Sequence, residues 1–419
     1  MRVMVIGGGG REHAIVKKLR ENREITELYV LPGNGGMAGE AVCVNIGATD
    51  LPAIAAFAEE KKIDYAVVTP DDPLVLGAVD MLEARGISCF GPRKSAAALE
   101  GSKAFAKDFM RRHGIPTAAY STFSDPEEAL AFVSACPLPI VVKADGLALG
   151  KGVVIAETRE EAETAVRAAM CEGRFGHSGE TVVIEEFLTG PEVSVLAFTD
   201  GKTLVPMVSS MDHKRALDGD RGLNTGGMGT VAPNPYYTEE TEWRCMKEIF
   251  LPTIRGMAEE GRPFKGCLYF GLMLTPEGPK VIEYNCRFGD PETQVVLALL
   301  ESDLFSIMRA VTEERLSEAD IRFSGDAAAC VIMASSGYPV SYEKGYEIIV
   351  DEDALPHVLF AGAKEKDGKL FTNGGRVLGV VGRGKTLQEA LDLAYKRVKK
   401  ISFENAFYRR DIGKRALEA

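Results

Sequence analysis

VIEYNCRFGDPETQ, residues 281–294, begins as an apolar strand would and ends in a run that a buried strand avoids. If the segment is extended, its side chains alternate: Glu283, Asn285 and Arg287 share one face, and Ile282, Tyr284 and Cys286 take the other. A carboxylate and an amide oxygen two residues apart are hard-oxygen donors of the kind Mg²⁺ accepts, with phosphates and waters completing its octahedron. Arg287 beside them can neutralise a phosphoryl group in transfer or a substrate carboxylate. A simple Glu283–Arg287 salt bridge is the plainer reading. It leaves the alignment of Asn285 unexplained, and burying such ions costs several kcal/mol each unless the geometry is good. The polar face is therefore read as the wall of a ligand site, and the remaining chain as the scaffold that closes it.

The scaffold has 419 residues, enough for two to four domains with real cores. Hydrophobic residues at 46% and charged residues at 26% are those of an ordinary globular chain. The net charge of −12 argues against nonspecific nucleic-acid binding, so any anion must be held by local features. Eight cysteines lie no closer than 19 residues apart, which excludes a CxxC motif or zinc cluster and points to a reduced, cytoplasmic setting. MRVMVIGGGG lacks the apolar core and cleavage site of a signal peptide, and no apolar run approaches the roughly 20 residues of a membrane helix.

Toward the N-terminus, residues 1 to about 100 alternate short β-branched runs (RVMVI, ELYVL, IDYAVV, ISCF) with helical patterns, a cadence that predicts a doubly wound parallel sheet with helices on both faces. GPRKSAAALEGSKAFAKDFMRRHGIP reads as helical, and residues 120–190 as a small α+β module. SSMDHKRALDGDRGLNTGGMG, dense in glycine and charge, reads as a long functional loop. From residue 326 onward the pattern is β-rich, closed by the helix TLQEALDLAYKRVKK.

Two glycine loops follow the first two strands. GGGGREH (7–13) joins a strand to a helix whose free N–H groups can hold phosphate. It is not a dinucleotide fingerprint: Glu12 and His13 stand where the third glycine belongs, and the second strand ends in Leu31-Pro32-Gly33 without an acid for a ribose. PGNGG (32–36) lies beside it, so the pair could grip one sugar phosphate, although tight turns alone would also use these residues. KADGLALGKGVV puts Lys143 at a strand end and Lys151 in a glycine loop suited to close over a nucleotide, without being a Walker A sequence; a hairpin with solvated lysines is its plainer reading.

Taken together, GGGGREHA, PGNGG, EGSKAFAKDFM, KADGLALGKGVV, EEFLTGPEVS, DHKRALDGD, NTGGMG, NCRFGDPETQ and the terminal FYRRDIGKRA closely resemble the glycinamide ribonucleotide synthetases of the ATP-grasp superfamily, over essentially the whole chain. The resemblance implies an α/β fold: an N-terminal domain (1–102), an ATP-grasp central domain (103–122 and 190–325), a small α+β lid (123–189) and a β-rich C-terminal domain (326–419). It implies ATP, Mg²⁺ or Mn²⁺, glycine and 5-phosphoribosylamine as ligands of a cytoplasmic monomer that needs neither nucleic acid nor membrane. Lys103 and Lys143 are expected at the ATP phosphates, under a loop containing Gly150, Lys151 and Gly152. Glu185, Phe187 and Leu188 are expected at adenine, Glu192 at ribose, and Glu283 with Asn285 at the metal. Arg287, His213, Lys214 and Arg215 are expected to bind anionic groups, and Asp212 and Asp290 to handle amines. Gly8, Gly9, Gly10, Asn34 and Gly35 are expected at the ribose phosphate, with Asp220 and Gly227 also in the substrate site.

The chain departs from that pattern in four places. Thr69-Pro70-Asp71-Asp72-Pro73 replaces a Gly-Pro-Glu, Met211 stands for a glutamine, Leu223 stands for a proline, and the strand LYFGLMLT supplies no second metal carboxylate.

Overall fold

The computed structural model describes residues 1–147, 152–174 and 176–419. The N-terminal cadence becomes a five-stranded parallel sheet in the order Val42–Cys43, Glu27–Pro32, Arg2–Gly7, Tyr65–Val68, Ser88–Phe90. The strand order reverses between Arg2–Gly7 and Tyr65–Val68, so their carboxyl ends form the crevice where such sheets take ligands. Gly8 is required there by close approach: a Cβ would lie 2.4 Å from the carbonyl oxygen of Gly33, so the two glycine loops touch.

A four-stranded antiparallel sheet follows, ordered Leu204–Pro206, Glu192–Thr199, Gly266–Thr275, Gly278–Asn285. It shares one apolar core with the N-terminal sheet, where Met4, Ile6 and Val68 pack in the same cluster as Val195, Phe270 and Tyr284. The lid is a separate antiparallel sheet with its own core of Ala129, Val133, Val142, Val166 and Ile184. Its helices start on strong signals: Asp125 caps Pro126–Ala135, and Thr158 with Glu161 forms a capping box for Arg159–Met170.

The structure refines two sequence expectations. The helical stretch after residue 92 is broken at Ser102, which leaves helical angles and caps Lys103–Arg112 through Phe105 N–H. Asp145 in the lid accepts from Ser102 Oγ and from Ala104 N–H, tying the lid to the start of that helix. The 209–229 segment is not a loop throughout: Arg215–Leu217 and Arg221–Asn224 form a hairpin around Gly219 and Asp220, both at positive φ. Met211–Asp212 and Gly229–Ala232 pair with each other, and Gly229–Ala232 adds them to the sheet of the C-terminal segment through the strand Ala327–Ser335. No helix among the described residues is long and apolar enough to cross a membrane.

Candidate active site

The strand Gly278–Asn285 carries a bulge: Glu283 pairs with Gly271 but Val281 pairs with Leu272, leaving Ile282 as the extra residue. The simple alternation expected from the sequence is thereby corrected. Val281, Tyr284 and Cys286 are buried in the core, while Ile282, Glu283 and Asn285 line a cavity of about 710 Å³ between the lid, the central sheet and the C-terminal segment. Burial alone would raise the Glu283 acid, but Lys214, Lys143, Lys103 and Arg287 surround it and hold it below the usual carboxylate range. Among the described residues, no hydrogen bond or ion pair engages its carboxylate. Asn285 Oδ1 accepts from Arg287 Nη2 at 3.0 Å and keeps a second lone pair. Arg287 is in turn anchored by Glu100, whose Oε1 lies 3.0 Å from Nη2 and whose Oε2 accepts the Cys286 N–H at 2.7 Å. Burial pushes the Glu100 acid up to about 7 despite Arg287.

The lid supplies the opposite wall. Lys143, next to last in the strand Ile140–Ala144, reaches Glu185 Oε1 at 3.0 Å and donates to the carbonyl oxygen of Ile282 at 3.2 Å. The other oxygen of Glu185 pairs with Lys107 at 3.0 Å, and Lys107 donates to Thr117 Oγ1 at 2.7 Å. Burial lowers Lys107 to about 8, with Lys143 adding to the effect and Glu185 opposing it. Glu185 Oε1 is ion-paired with Lys143 but accepts no hydrogen bond in good geometry, so it can still accept from a ligand at the cavity wall. Phe187, Leu188 and Glu192 continue this wall, and Glu192 pairs with Lys214 at 3.1 Å. Lys103, lowered by burial, donates to the Gly146 carbonyl at 2.8 Å. Gly152 lines the cavity, whereas Gly150 and Lys151 lie outside the described residues.

The far end is acidic and tightly paired. Asp212 is raised well above its ordinary value by burial and by Glu292, and Glu292 is raised chiefly by burial. Asp290 pairs with Arg376 at 3.2 Å and accepts from Gln294 at 2.6 Å; burial works against its charge, but Arg376 and Arg11 hold it below the usual range. Gly227 sits at φ +112°, where a Cβ would meet Pro291 at 2.4 Å and Asp212 Oδ1 at 2.7 Å. A Cβ on Gly9 would approach Asp290 at 3.4 Å and one on Gly10 would meet Gln294 at 2.9 Å, so the first glycine loop abuts this end.

Four expected residues turn out to be committed elsewhere. His213 is buried, donates from Nδ1 to the Gly229 carbonyl and accepts from Gly413 N–H at Nε2. Burial and Arg409 bring it down to about 4, so it is a neutral tether and not an anion-binding cation. Asn34 spends its amide on the carbonyls of Gly8 and Phe360 and its oxygen on Gly36 N–H, holding the two glycine loops to the C-terminal segment. Gly35 packs against Lys364 and Glu365 and faces a second cavity, away from the first. Asp220 lines the main cavity but is paired with Arg409 at 2.8 Å.

Sequence reading overlooked Glu100, Lys107, Glu292 and Arg376. Glu100 and Lys107 lie inside the recognised EGSKAFAKDFM run and Glu292 inside NCRFGDPETQ, so their signal was present, but nothing local assigns them partners. Of the departures, Asp71 does line the cavity, Met211 is buried beside it, and Leu223 is exposed on the hairpin. Thr69 bonds Ile6 O and Glu12, closing the end of the sheet.

Three consecutive parts of the phosphoribosylglycinamide synthetase pattern match the chain: the N domain over residues 1–100, the ATP-grasp (A) domain over 101–293 and the C domain over 328–415. The phosphoribosylamine–glycine ligase of Haemophilus influenzae is 49% identical over 424 residues, covering 100% of this chain and 99% of its own. That of Clostridium acetobutylicum is 47% identical over 414 residues, covering 99% and 100%. The crystal structure of the phosphoribosylamine–glycine ligase from Thermotoga maritima superposes with a TM-score of 0.86 at 36% identity, covering 98% of this chain and 100% of that one. A biotin carboxylase from Campylobacter jejuni, at 15% identity, TM-score 0.76 and coverage of 97% and 93%, shares the fold alone. With all three domain patterns in order along its length, the chain belongs to the phosphoribosylglycinamide synthetase family.

Proposed function

We propose that this protein ligates glycine to 5-phosphoribosylamine at the expense of ATP, giving glycinamide ribonucleotide, ADP and phosphate, the second step of de novo purine synthesis. The observation that carries the reading is the ionised Glu283 ringed by Lys103, Lys143, Lys214 and Arg287. Four cations around one carboxylate suit a polyphosphate far better than a neutral ligand. Glu185 Oε1 and the adjoining Phe187–Leu188 segment offer the acceptor and apolar surface that an adenine needs.

In this reading the glycine carboxylate attacks the γ-phosphate, and Arg287 and Lys214 neutralise the charge that develops on the transferring group. The amine of 5-phosphoribosylamine then attacks the acyl carbon of glycyl phosphate. Asp290, held ionised, suits an ammonium or amine; Asp212, its acid pushed up by burial and by Glu292, lies beside Lys214 at the same end of the cavity, where it can meet the second amine. The donors Glu283 and Asn285 fit Mg²⁺ or Mn²⁺, since one is an unengaged carboxylate and the other has a free lone pair, and such an ion would supply charge neutralisation to the phosphates. No group of three or more acids, histidines or cysteines that could hold a metal is found among the described residues, and in this reading phosphates and water would complete the set. The same reading makes the protein a cytoplasmic monomer, in keeping with its free cysteines.

An ADP-release assay with glycine and 5-phosphoribosylamine, omitting each in turn, tests the proposal. Release that requires both supports it, whereas release with bicarbonate in place of glycine overturns it.

A further inference from the structure

The terminal run FYRRDIGKRA (407–416) has no part in the chemistry above, yet it is bonded along the hairpin that leaves the cavity at Asp212 and Lys214. Arg409, 2% exposed, donates from Nη1 to Asp220 Oδ1 at 2.8 Å and to the Arg215 carbonyl at 3.1 Å. Its Nε and Nη2 grip the two oxygens of Asp411 at 2.8 and 2.9 Å. Asp411 accepts the Gly219 N–H at 2.7 Å, and Asp218 accepts the Arg410 N–H at 2.8 Å, so the tip of the hairpin is fastened from both sides. At the base, His213 Nε2 accepts the Gly413 N–H at 3.0 Å.

The hairpin cannot hold itself. Residues 221–224 are all exposed, Leu217 and Leu223 are 50% and 57% exposed, and an isolated two-stranded ribbon is marginal at best in water. We infer that the C-terminal tail is a clamp that fixes this hairpin, and that Arg409 is a positioning residue holding Lys214 and Asp212 in place over the cavity. The inference rests on the reading of Asp212 and Lys214 as reaction residues given above. An arginine is needed because one planar guanidinium serves Asp220, Asp411 and a backbone carbonyl at once, which the three donors of a lysine point charge cannot reproduce. His213 has to stay neutral for its Nε2 to accept from Gly413, and burial beside Arg409 keeps it so.

The test compares Arg409→Met, Arg409→Lys and Lys214→Met in the full chain, measuring kcat and KM for glycine and 5-phosphoribosylamine, ATP-analogue Kd, and tryptic cleavage at Arg221. A clamp requires KM for both acceptor-side substrates to rise, and kcat to fall, together by roughly tenfold to a hundredfold in Arg409→Met. ATP-analogue Kd rises by much less than turnover falls, because Lys214 is one of four cations at the polyphosphate and the adenine wall is built by the lid. Cleavage at Arg221 accelerates, and Arg409→Lys recovers only part of the loss. Unchanged KM values and cleavage in Arg409→Met overturn the clamp, as does a fall in nucleotide affinity equal to the fall in turnover, which marks general unfolding. Normal turnover in Lys214→Met instead overturns the underlying reading of the hairpin, whatever Arg409 does. If Arg409→Met does not fold, Asp411→Asn, which loosens both Arg409 and Gly219, is read by the same criteria.

Discussion

Replacing Glu100 by glutamine separates what this residue does for stability from what it does for Arg287. Its carboxyl is fully enclosed, hydrogen-bonded to Cys286 N–H at 2.7 Å and paired with Arg287 at 3.0 Å. Burial outweighs that pairing and raises the acid from 4.5 to about 7. Between those values the folded chain keeps a proton that the unfolded chain has released, so the unfolded state gains relative stability as pH rises through the window. At 1.36 kcal/mol for each tenfold change in proton affinity, the loss by pH 8 is about 3 kcal/mol. A glutamine does not titrate, so the variant escapes this loss. Its stability relative to the parent should improve by about that amount between pH 5 and pH 8. Activity should move the other way: without a counter-charge Arg287 is no longer pinned against Asn285, and turnover drops while its rise through pH 7 disappears. Urea unfolding at pH 5, 6, 7 and 8, paired with kcat at each pH, reads both effects. The same stability slope in parent and variant would refute the reasoning.

Arg287→Ala should abolish ligase turnover and leave the fold intact, because Glu100 can take up a proton instead of standing as a bare buried charge; far-ultraviolet circular dichroism and the ADP-release assay check the two halves. His213 titrates near 6.5 when unfolded but is held to about 4 when folded, so its contribution is full above pH 6.5 and is lost as pH falls toward 4. That loss is worth up to about 3 kcal/mol, and His213→Asn should flatten it in urea midpoints taken from pH 7 to pH 4.5. Gly227→Ala places a Cβ 2.4 Å from Pro291 and 2.7 Å from Asp212 at a φ of +112°. A stability loss of about 1–3 kcal/mol is expected, with a fall in kcat that exceeds any change in ATP-analogue affinity; unchanged kinetics would show that Asp212 does not need its present position.

Much of the molecule is written in short-range pattern. The strand and helix cadence of residues 1–100 appears as the parallel sheet, and Glu283 and Asn285 do lie together on the cavity wall. The 209–229 segment reads as a loop in sequence because its strands are two to four residues long; two pair only with each other, and the other two join the neighbouring sheet. Ile282 moved to the cavity side because a bulge adds one residue to its strand, which alternation alone does not reveal.

The sequence by itself determined the order of strands and helices, the glycine turns and the identity of the wall-forming acid and amide, since each depends on residues a few positions apart. Only the tertiary structure decided that Glu100 sits against Cys286 and Arg287, 186 positions from the first, and that Gly413 bonds His213 across 200. Whether a carboxylate keeps its charge or a histidine loses it depends on how deeply folding buries the group and which ions arrive beside it. Those are properties of distance in space, which neighbouring residues along the chain do not encode.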